Sequence, residues 1–597
     1  MESQDGDCVI CLSEPRCVVL TACGHNVLCT ECLEALQAQS DLPRCPVCNT
    51  CIPEGGVAPQ PRGAARRVTR AAAGTAACRP SGGAYIPSAV NPAHAAQAQA
   101  MRVTELGRSL ADEVTFASMG RLENLLNSGA PPDALSLPAA LNDTPLFIAA
   151  HVGRPEVVRL LLSRGADAAL RRPRDQCTAL HVAMCDAPED ASPQQRQARD
   201  ELSGQVVSLL LAAGAPKDAQ DSRQWTPLHS AACRGCLSAG RALIAAGADV
   251  AATGELGVTA LHWAATSGHA AFVKLLLSAG ADRSVRNTEG ESPLHAAALD
   301  GHDDCARALL EHRKRGPTPK TLASCRDSER STPLHFACAF GHMQVATTLL
   351  RAGADVRATD VEAFTPLIWA ARRGHAGLVR LLMSHGGSTN ALDRVGWSAM
   401  HHAAEGGHVA VMEQIAGNSA LLNARDVDRD TPLSVAACNG QMEALRWLMR
   451  KGARLQSGNC VGLTALHLAA LHGQDECAMA LLAASPALAA LKDCGGGTAL
   501  HATCAAGMLA FSRTMWAVPA WKAQADAVDN EGRTALHRAA ERGHAAMVRW
   551  LVAQGFDANA HTLKGETPSQ LATDEAVRAL LRGREGAGPV TRKRARG

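Results

Sequence analysis

One short string returns through this chain at a nearly fixed distance, and that recurrence constrains the fold more than any other feature. Thr226-Pro-Leu-His229 reappears as Thr259-Ala-Leu-His262, Ser292-Pro-Leu-His295, Thr332-Pro-Leu-His335, Thr365-Pro-Leu-Ile368, Ser398-Ala-Met-His401, Thr431-Pro-Leu-Ser434, Thr464-Ala-Leu-His467, Thr498-Ala-Leu-His501 and Thr534-Ala-Leu-His537. Earlier copies begin at Thr144 and Thr178 and a degraded last one at Thr567; seven of the twelve intervals are 33 residues. Each unit reads as two helices and a hairpin. Thr or Ser caps the first helix, Pro or Ala follows where no free amide is needed, and Leu and two alanines face the core. Gly then ends that helix, usually followed by His, as in Gly268-His269 and Gly374-His375. A second helix such as Phe272-Val-Lys-Leu-Leu-Leu277 closes on Gly280-Ala-Asp282, and a Gly-containing hairpin leads to the next anchor. No single unit buries enough apolar surface to stand alone, so the copies must stack.

Composition fits thin stacked layers. The 597 residues are 47% hydrophobic but include only 8 Phe, 8 Trp and a single Tyr, which excludes the large aromatic-rich core of a big enzyme fold. The period and motif resemble ankyrin repeats, and the match covers most of the chain. That resemblance implies a mainly α fold, a solenoid over 106–582. Residues 111–129, with Gly120 in register, read as its first cap and residues 566–581 as its last. Two spacings are irregular: Ala187-Pro-Glu-Asp-Ala-Ser-Pro-Gln-Gln-Arg196 and Arg313-Lys-Arg-Gly-Pro-Thr-Pro319 are insertions, expected on solvent loops.

The N-terminus has a different logic. Nine of the 22 cysteines fall in the first 51 residues, and the spacing is Cys8-x2-Cys11, Cys23-x-His25, Cys29-x2-Cys32 and Cys45-x2-Cys48. Four pairs of soft or borderline donors make two closed tetrahedral sites, structural zincs with no position left for an activated water. With Ala22-Cys-Gly-His-Asn-Val-Leu-Cys29 and Cys45-Pro-Val-Cys48, residues 5–51 resemble a RING finger of two-zinc cross-brace form. The resemblance implies Cys8, Cys11, Cys29 and Cys32 on one zinc and Cys23, His25, Cys45 and Cys48 on the other, with Cys17 and Cys51 as spare thiols. It further implies a ubiquitin-conjugating enzyme carrying ubiquitin as partner, contacted by Ile10, Leu36 and Pro46. Asn49 stands where active members often carry a cation, so stimulation of transfer is expected to be weak.

Residues 52–105, rich in Ala, Gly, Pro and Gln with arginines at 62, 66, 67 and 70, read as a flexible linker spanning about 40 Å as a coil. Residues 583–597 form a basic tail whose Thr591-Arg-Lys-Arg-Ala-Arg596 is compatible with nuclear import of an otherwise cytoplasmic protein. The polar start, the absence of long apolar runs and the net charge of +2 point away from secretion, membrane insertion and nucleic-acid binding.

Catalytic signatures are missing from the repeats. Cys233-x2-Cys236 occupies ordinary repeat positions, and the recurring histidines are expected to satisfy local backbone groups. Binding is the expected role, of an unidentified protein substrate. Trp225, Phe364 and Trp397 precede the anchor at a register position expected to be exposed, and Phe340, Arg372 and Arg373 lie at the ends of first helices. Aromatics and Arg dominate interface energies, so these six form the candidate substrate surface. The chain therefore reads as a RING-type ubiquitin ligase with a recruiting array, or as a scaffold whose RING serves assembly only.

Overall fold

A computed structural model describes two short strands, Val18–Leu20 and Val57–Pro59, and residues 106, 109–110, 113–115, 118–134, 143–184, 192–312, 317–417 and 419–583. The chain divides into two compact units, Met1–Ala89 and Val90–Gly597. In the first, the two strands pair antiparallel, Val18 opposite Pro59 and Leu20 opposite Val57. The second strand lies in the stretch read as linker, so regular backbone pairing extends past the last cysteine pair.

The second unit is a helical repeat array. Its element order matches the expected unit: Ala260–Thr266, Ala270–Ser278, a hairpin, then Pro293–Leu299 and Asp303–Glu311. Thr259 sits in extended conformation before its helix, and the capping partner is the motif's own histidine. The Thr259 amide donates to His262 Nδ1 at 3.2 Å, and the Thr259 hydroxyl lies 2.9 Å from the same nitrogen. Leu261, Ala264 and Ala265 are buried, as are Val273 and Leu276 of the second helix, which explains the spacing of small and large apolar residues. Gly268 at φ +78° then lets the first helix stop, a conformation costly for any residue with a Cβ.

Two further connections hold repeat to repeat. The imidazole Nε2 of the motif histidine donates to a backbone carbonyl of the next hairpin: His229 to Val258 at 3.1 Å, His262 to Glu291 at 3.1 Å, His501 to Arg533 at 3.1 Å. The Gly-His histidines reach backward instead. His269 Nε2 bonds the Cys233 carbonyl at 3.1 Å and His408 the Arg372 carbonyl at 3.1 Å. These histidines thus bridge repeats rather than satisfying only local groups. The bridge also explains why Gly precedes them: a Cβ on Gly268 would sit 2.7 Å from the His302 ring, and one on Gly374 2.7 Å from that of His408. Hairpin tips are stitched in the same way, with amides at 255, 288, 328, 361, 394, 427, 460, 494, 530 and 563 each donating to the preceding tip.

Three local expectations differ. Gly120 belongs to the first turn of a helix, Met119–Asn127, capped at Ser118, and ends none. The insertion near 187–196 is not a solvent loop throughout: from Pro193 it is helix, Pro193–Ala212, started by a Ser192 and Gln195 capping box. The insertion at 313–319 likewise ends in a capped helix, Pro319–Ala323, started at Thr318, and the Pro317 carbonyl accepts from the buried Arg283 guanidinium at 2.6 Å. At the far end, Glu575–Arg582, started by Asp574, buries Val577 and Leu581.

Candidate functional site

Candidate functional residues fall in two places. Those of the N-terminal cluster, Cys8, Cys11, Cys23, His25, Cys29, Cys32, Cys45 and Cys48 with Ile10, Leu36, Pro46 and Asn49, lie outside the described residues, as do the 62–70 arginines and the basic tail. Their chemistry is nevertheless informative. Seven thiols and one imidazole in close pairs, without a carboxylate at any ligand position, suit zinc and not a hard cation. Among the described residues no group of three or more His, Cys, Asp or Glu side chains is placed to hold a metal. Neither Cys236, which is buried, nor Cys233, which is half-buried, forms a disulfide.

On the array, the hairpin carboxylates position the aromatic residues. Asp360 Oδ1 accepts from the amides of Glu362 at 3.0 Å and Phe364 at 2.8 Å, and Asp393 Oδ1 from those of Val395 at 3.0 Å and Trp397 at 2.7 Å. Asp221 does the same for Arg223 and Trp225, both at 2.8 Å. The second carboxylate oxygens reach the first helices or the preceding hairpin: Trp369 Nε1 donates to Asp360 at 2.9 Å, His402 Nε2 lies 2.9 Å from Asp393, and the hairpin Trp397 Nε1 donates to Asp426 at 2.8 Å.

This geometry corrects one expectation. The residue before the anchor was expected to be exposed, yet Phe364 retains only 9% of its surface. Here the chain turns inward to cap the next helix, so the ring drops between hairpin and helix, 5.1 Å from Trp369 and 5.1 Å from His402. The Arg372 guanidinium covers both rings at 5.6 and 5.8 Å. Trp225 and Trp397 are half-buried, Trp225 against Trp263 at 4.5 Å and Trp397 against His402 at 5.1 Å. Phe340, by contrast, is 51% exposed, and Arg372 and Arg373 are exposed. Phe364, Arg372, Trp397 and the unanticipated Trp369 and His402 therefore form one connected cluster, with Trp225 in a separate pair. The missed residues had a signal: Trp263, Phe336, Trp369 and His402 all stand four positions after an anchor, on the first helix.

Electrostatics argue against proton transfer by the repeat histidines. Burial pushes those of the anchor motif down, His262 and His295 to about 4, against backbone carbonyls that pull them up. A neutral ring that accepts at Nδ1 and donates at Nε2 is fully used by the fold. The cluster's His402 is also lowered by burial, with Asp393 acting in the opposite direction.

Comparison with known proteins matches these two parts. The family described as ankyrin repeats (3 copies) matches in overlapping segments, 116–191, 198–287, 261–360, 358–426, 407–490, 433–519, 486–562 and 508–591, and the chain belongs to the ankyrin-repeat family. Residues 4–54 match the zinc finger of C3HC4 type, the RING finger, so this is an ankyrin-repeat protein with an N-terminal RING and the zinc binding that a RING implies. Ankyrin repeat and SOCS box protein 16 of Mus musculus is 39% identical over 93 residues, 16% of this chain and 19% of that protein. Two Arabidopsis thaliana proteins, Probable E3 ubiquitin-protein ligase LUL1 and LUL3, are 48% identical over 42 residues and 42% over 48. These stretches are 7% and 8% of this chain and 12% of each plant protein, so the similarity spans less than a fifth of any of these relatives. No helix among the described residues is long and apolar enough to cross a membrane.

Proposed function

We propose that this chain is a RING-type ubiquitin ligase whose ankyrin array recruits a protein substrate. The observation that carries the reading is the joining, in one chain, of a C3HC4 finger at 4–54 to a repeat array with no catalytic constellation of its own. Two zincs brace the finger, Cys8, Cys11, Cys29 and Cys32 holding one and Cys23, His25, Cys45 and Cys48 the other. Ile10, Leu36 and Pro46 form the apolar patch that receives the conjugating enzyme. The finger restrains the ubiquitin thioester while a substrate lysine attacks its carbonyl. The C–N bond forms, the C–S bond breaks and the conjugating enzyme's thiolate leaves, with no intermediate on this chain. Phe340, Arg372, Arg373 and the outer edges of Trp225 and Trp397 offer the recruiting surface.

Self-ubiquitination over a panel of conjugating enzymes, comparing wild type with Ile10→Ala and Cys29→Ser, tests this. Chain formation by wild type and its loss in both variants is expected. Absence of chains with every conjugating enzyme refutes it and leaves the second reading, an assembly scaffold, which Asn49 favours because it supplies no charge at the position of the bridging cation.

A further inference from the structure

Beside the hairpin at 426–430 an open cavity of about 710 Å³ is lined by the exposed Arg425, Arg429 and Arg454 together with Gln456, Ser457 and Ser485. None of its lining residues is a carboxylate, and none of the three arginines has a side-chain hydrogen bond or ion pair among the described residues. The nearby acids are committed elsewhere. Asp426 accepts from Trp397 Nε1 and from the Asp430 amide, and Asp430 accepts from Ser434 Oγ at 2.9 Å.

The sharpest departure from what the repeat itself asks for is at Arg454. At the position of Arg454 five other repeats carry Asp167, Asp249, Asp282, Asp355 and Asp557, whose carboxylates accept the amide two residues on. Arg454 reverses that charge and forgoes that bond. Arg429 sits at φ +64°, a hairpin position held by Gly257, Gly290, Gly396, Gly462, Gly496, Gly532 and Gly565 and, at similar positive φ, by Gln176, Gln224, Arg330 and Ala363. At the position of Arg425 other polar side chains tie to the next hairpin: Arg286 to the Arg326 carbonyl at 2.7 Å, Arg326 to Thr359 at 3.0 Å, Lys492 to Val528 at 2.7 Å. Arg425 makes no such tie. A reversed charge at Arg454, a missing tie at Arg425 and a third exposed guanidinium at Arg429 leave three cations at one groove without a protein partner among the described residues, a lining that suits an anionic ligand.

We propose that this cavity binds a phosphorylated serine or threonine on a peptide segment of a partner protein. Three unpaired guanidiniums with the hydroxyls of Ser457 and Ser485 match the charge and acceptor number of a phosphate monoester dianion. The exposed Asp428 at the hairpin tip would repel an extended polyanion, such as a nucleic acid or an anionic membrane, more than one discrete phosphate flanked by ordinary residues. The inference deepens the recruiting role proposed above, and rests on it only in taking the partner to be a substrate.

The test uses the full chain and two immobilised pools of random nonapeptides, one with a central phosphoserine and one with serine. Wild type is retained about tenfold more by the phosphorylated pool. Arg429→Gly and Arg454→Asp bring back the residues other repeats use, so both variants keep the wild-type melting temperature or exceed it while losing the preference. Equal retention by the two pools overturns the proposal. So does a preference that survives both substitutions, or a stronger retention by phosphoinositide vesicles or single-stranded DNA that the same substitutions abolish. Self-ubiquitination reads the finger and pool retention reads the cavity, so either proposal can fail alone.

Discussion

The histidines that link one repeat to the next make the array acid-labile in a way that can be assigned repeat by repeat. His262 and His295 are held by burial at about 4, against 6.5 in an unfolded chain. Because the folded value is the lower one, the unfolded state takes up protons first. Stability from these sites is fully present above pH 6.5 and falls as pH drops towards 4. At pH 5.5 the loss is about 1–2 kcal/mol per histidine and about 3 kcal/mol for the two together. A solenoid need not unfold as one unit, so the assay is hydrogen exchange of the segments 259–266 and 292–299, corrected for intrinsic rates, at pH 7.5 and 5.5. The double variant His262→Gln and His295→Gln supplies the control. The last repeat already uses this chemistry, with the Thr567 amide donating to Gln570 Oε1 at 2.8 Å. The variant keeps the cap, loses the bridges to the Glu291 and Ser331 carbonyls at about 1 kcal/mol each, and gains a flat pH response over this range. Thr431, capped by Ser434 Oγ at 2.7 Å, gives an internal reference, because segment 431–438 lacks a titrating motif histidine and its protection should not fall. An unchanged pH slope in the double variant would refute the reasoning.

Gly374→Ala places a Cβ 2.7 Å from the His408 ring at φ +80°, and is expected to cost about 2–3 kcal/mol, read as early exchange confined to the helices flanking that junction. Phe340→Ala and Phe364→Ala should separate surface from support: the exposed Phe340 is expected to change stability by less than about 0.5 kcal/mol while weakening substrate capture, whereas loss of the enclosed Phe364 ring costs about 3–4 kcal/mol in chemical denaturation. Chelation of zinc is expected to abolish self-ubiquitination while leaving the far-ultraviolet circular dichroism of the array within a few per cent, since the repeats contain no candidate metal cluster among their described residues.

How much of this was legible in the sequence depends on whether the controlling interaction is local. Thr259, Leu261, Gly268 and the 33-residue spacing announce caps, core and helix ends, because each acts within one turn of its own position. The bridging role of His262 is not legible, since its Nε2 partner lies 29 residues away, at Glu291. Phe364 was misjudged for the same reason. Hairpin membership suggests exposure, but the ring's burial comes from Trp369 and from His402 of the following repeat. The RING finger matched at 4–54 is the opposite case, announced by spacing because a C-x2-C turn presents both thiolates from one knuckle.

A repeated fold also supplies its own control for positions that neither spacing nor pattern explains. When five repeats place Asp at a turn and use it for the same backbone bond, an Arg there has no architectural reason, and the missing bond at Arg454 is a local cost visible without any relative. Arg429 adds a further cation at a positive-φ position that other hairpins give to Gly or, as at Gln176, Gln224, Arg330 and Ala363, to other residues. Apolar departures such as the exposed Val427 and Val461 have no comparable direction, for a side chain facing solvent names no partner. Exposed guanidiniums gathered at one groove do, because they share a sign of charge that an anion answers. If Arg454→Asp stabilises the array while abolishing phosphopeptide retention, the stability forgone at this hairpin belongs to recognition; if it does neither, the departures are neutral drift in a tolerant loop.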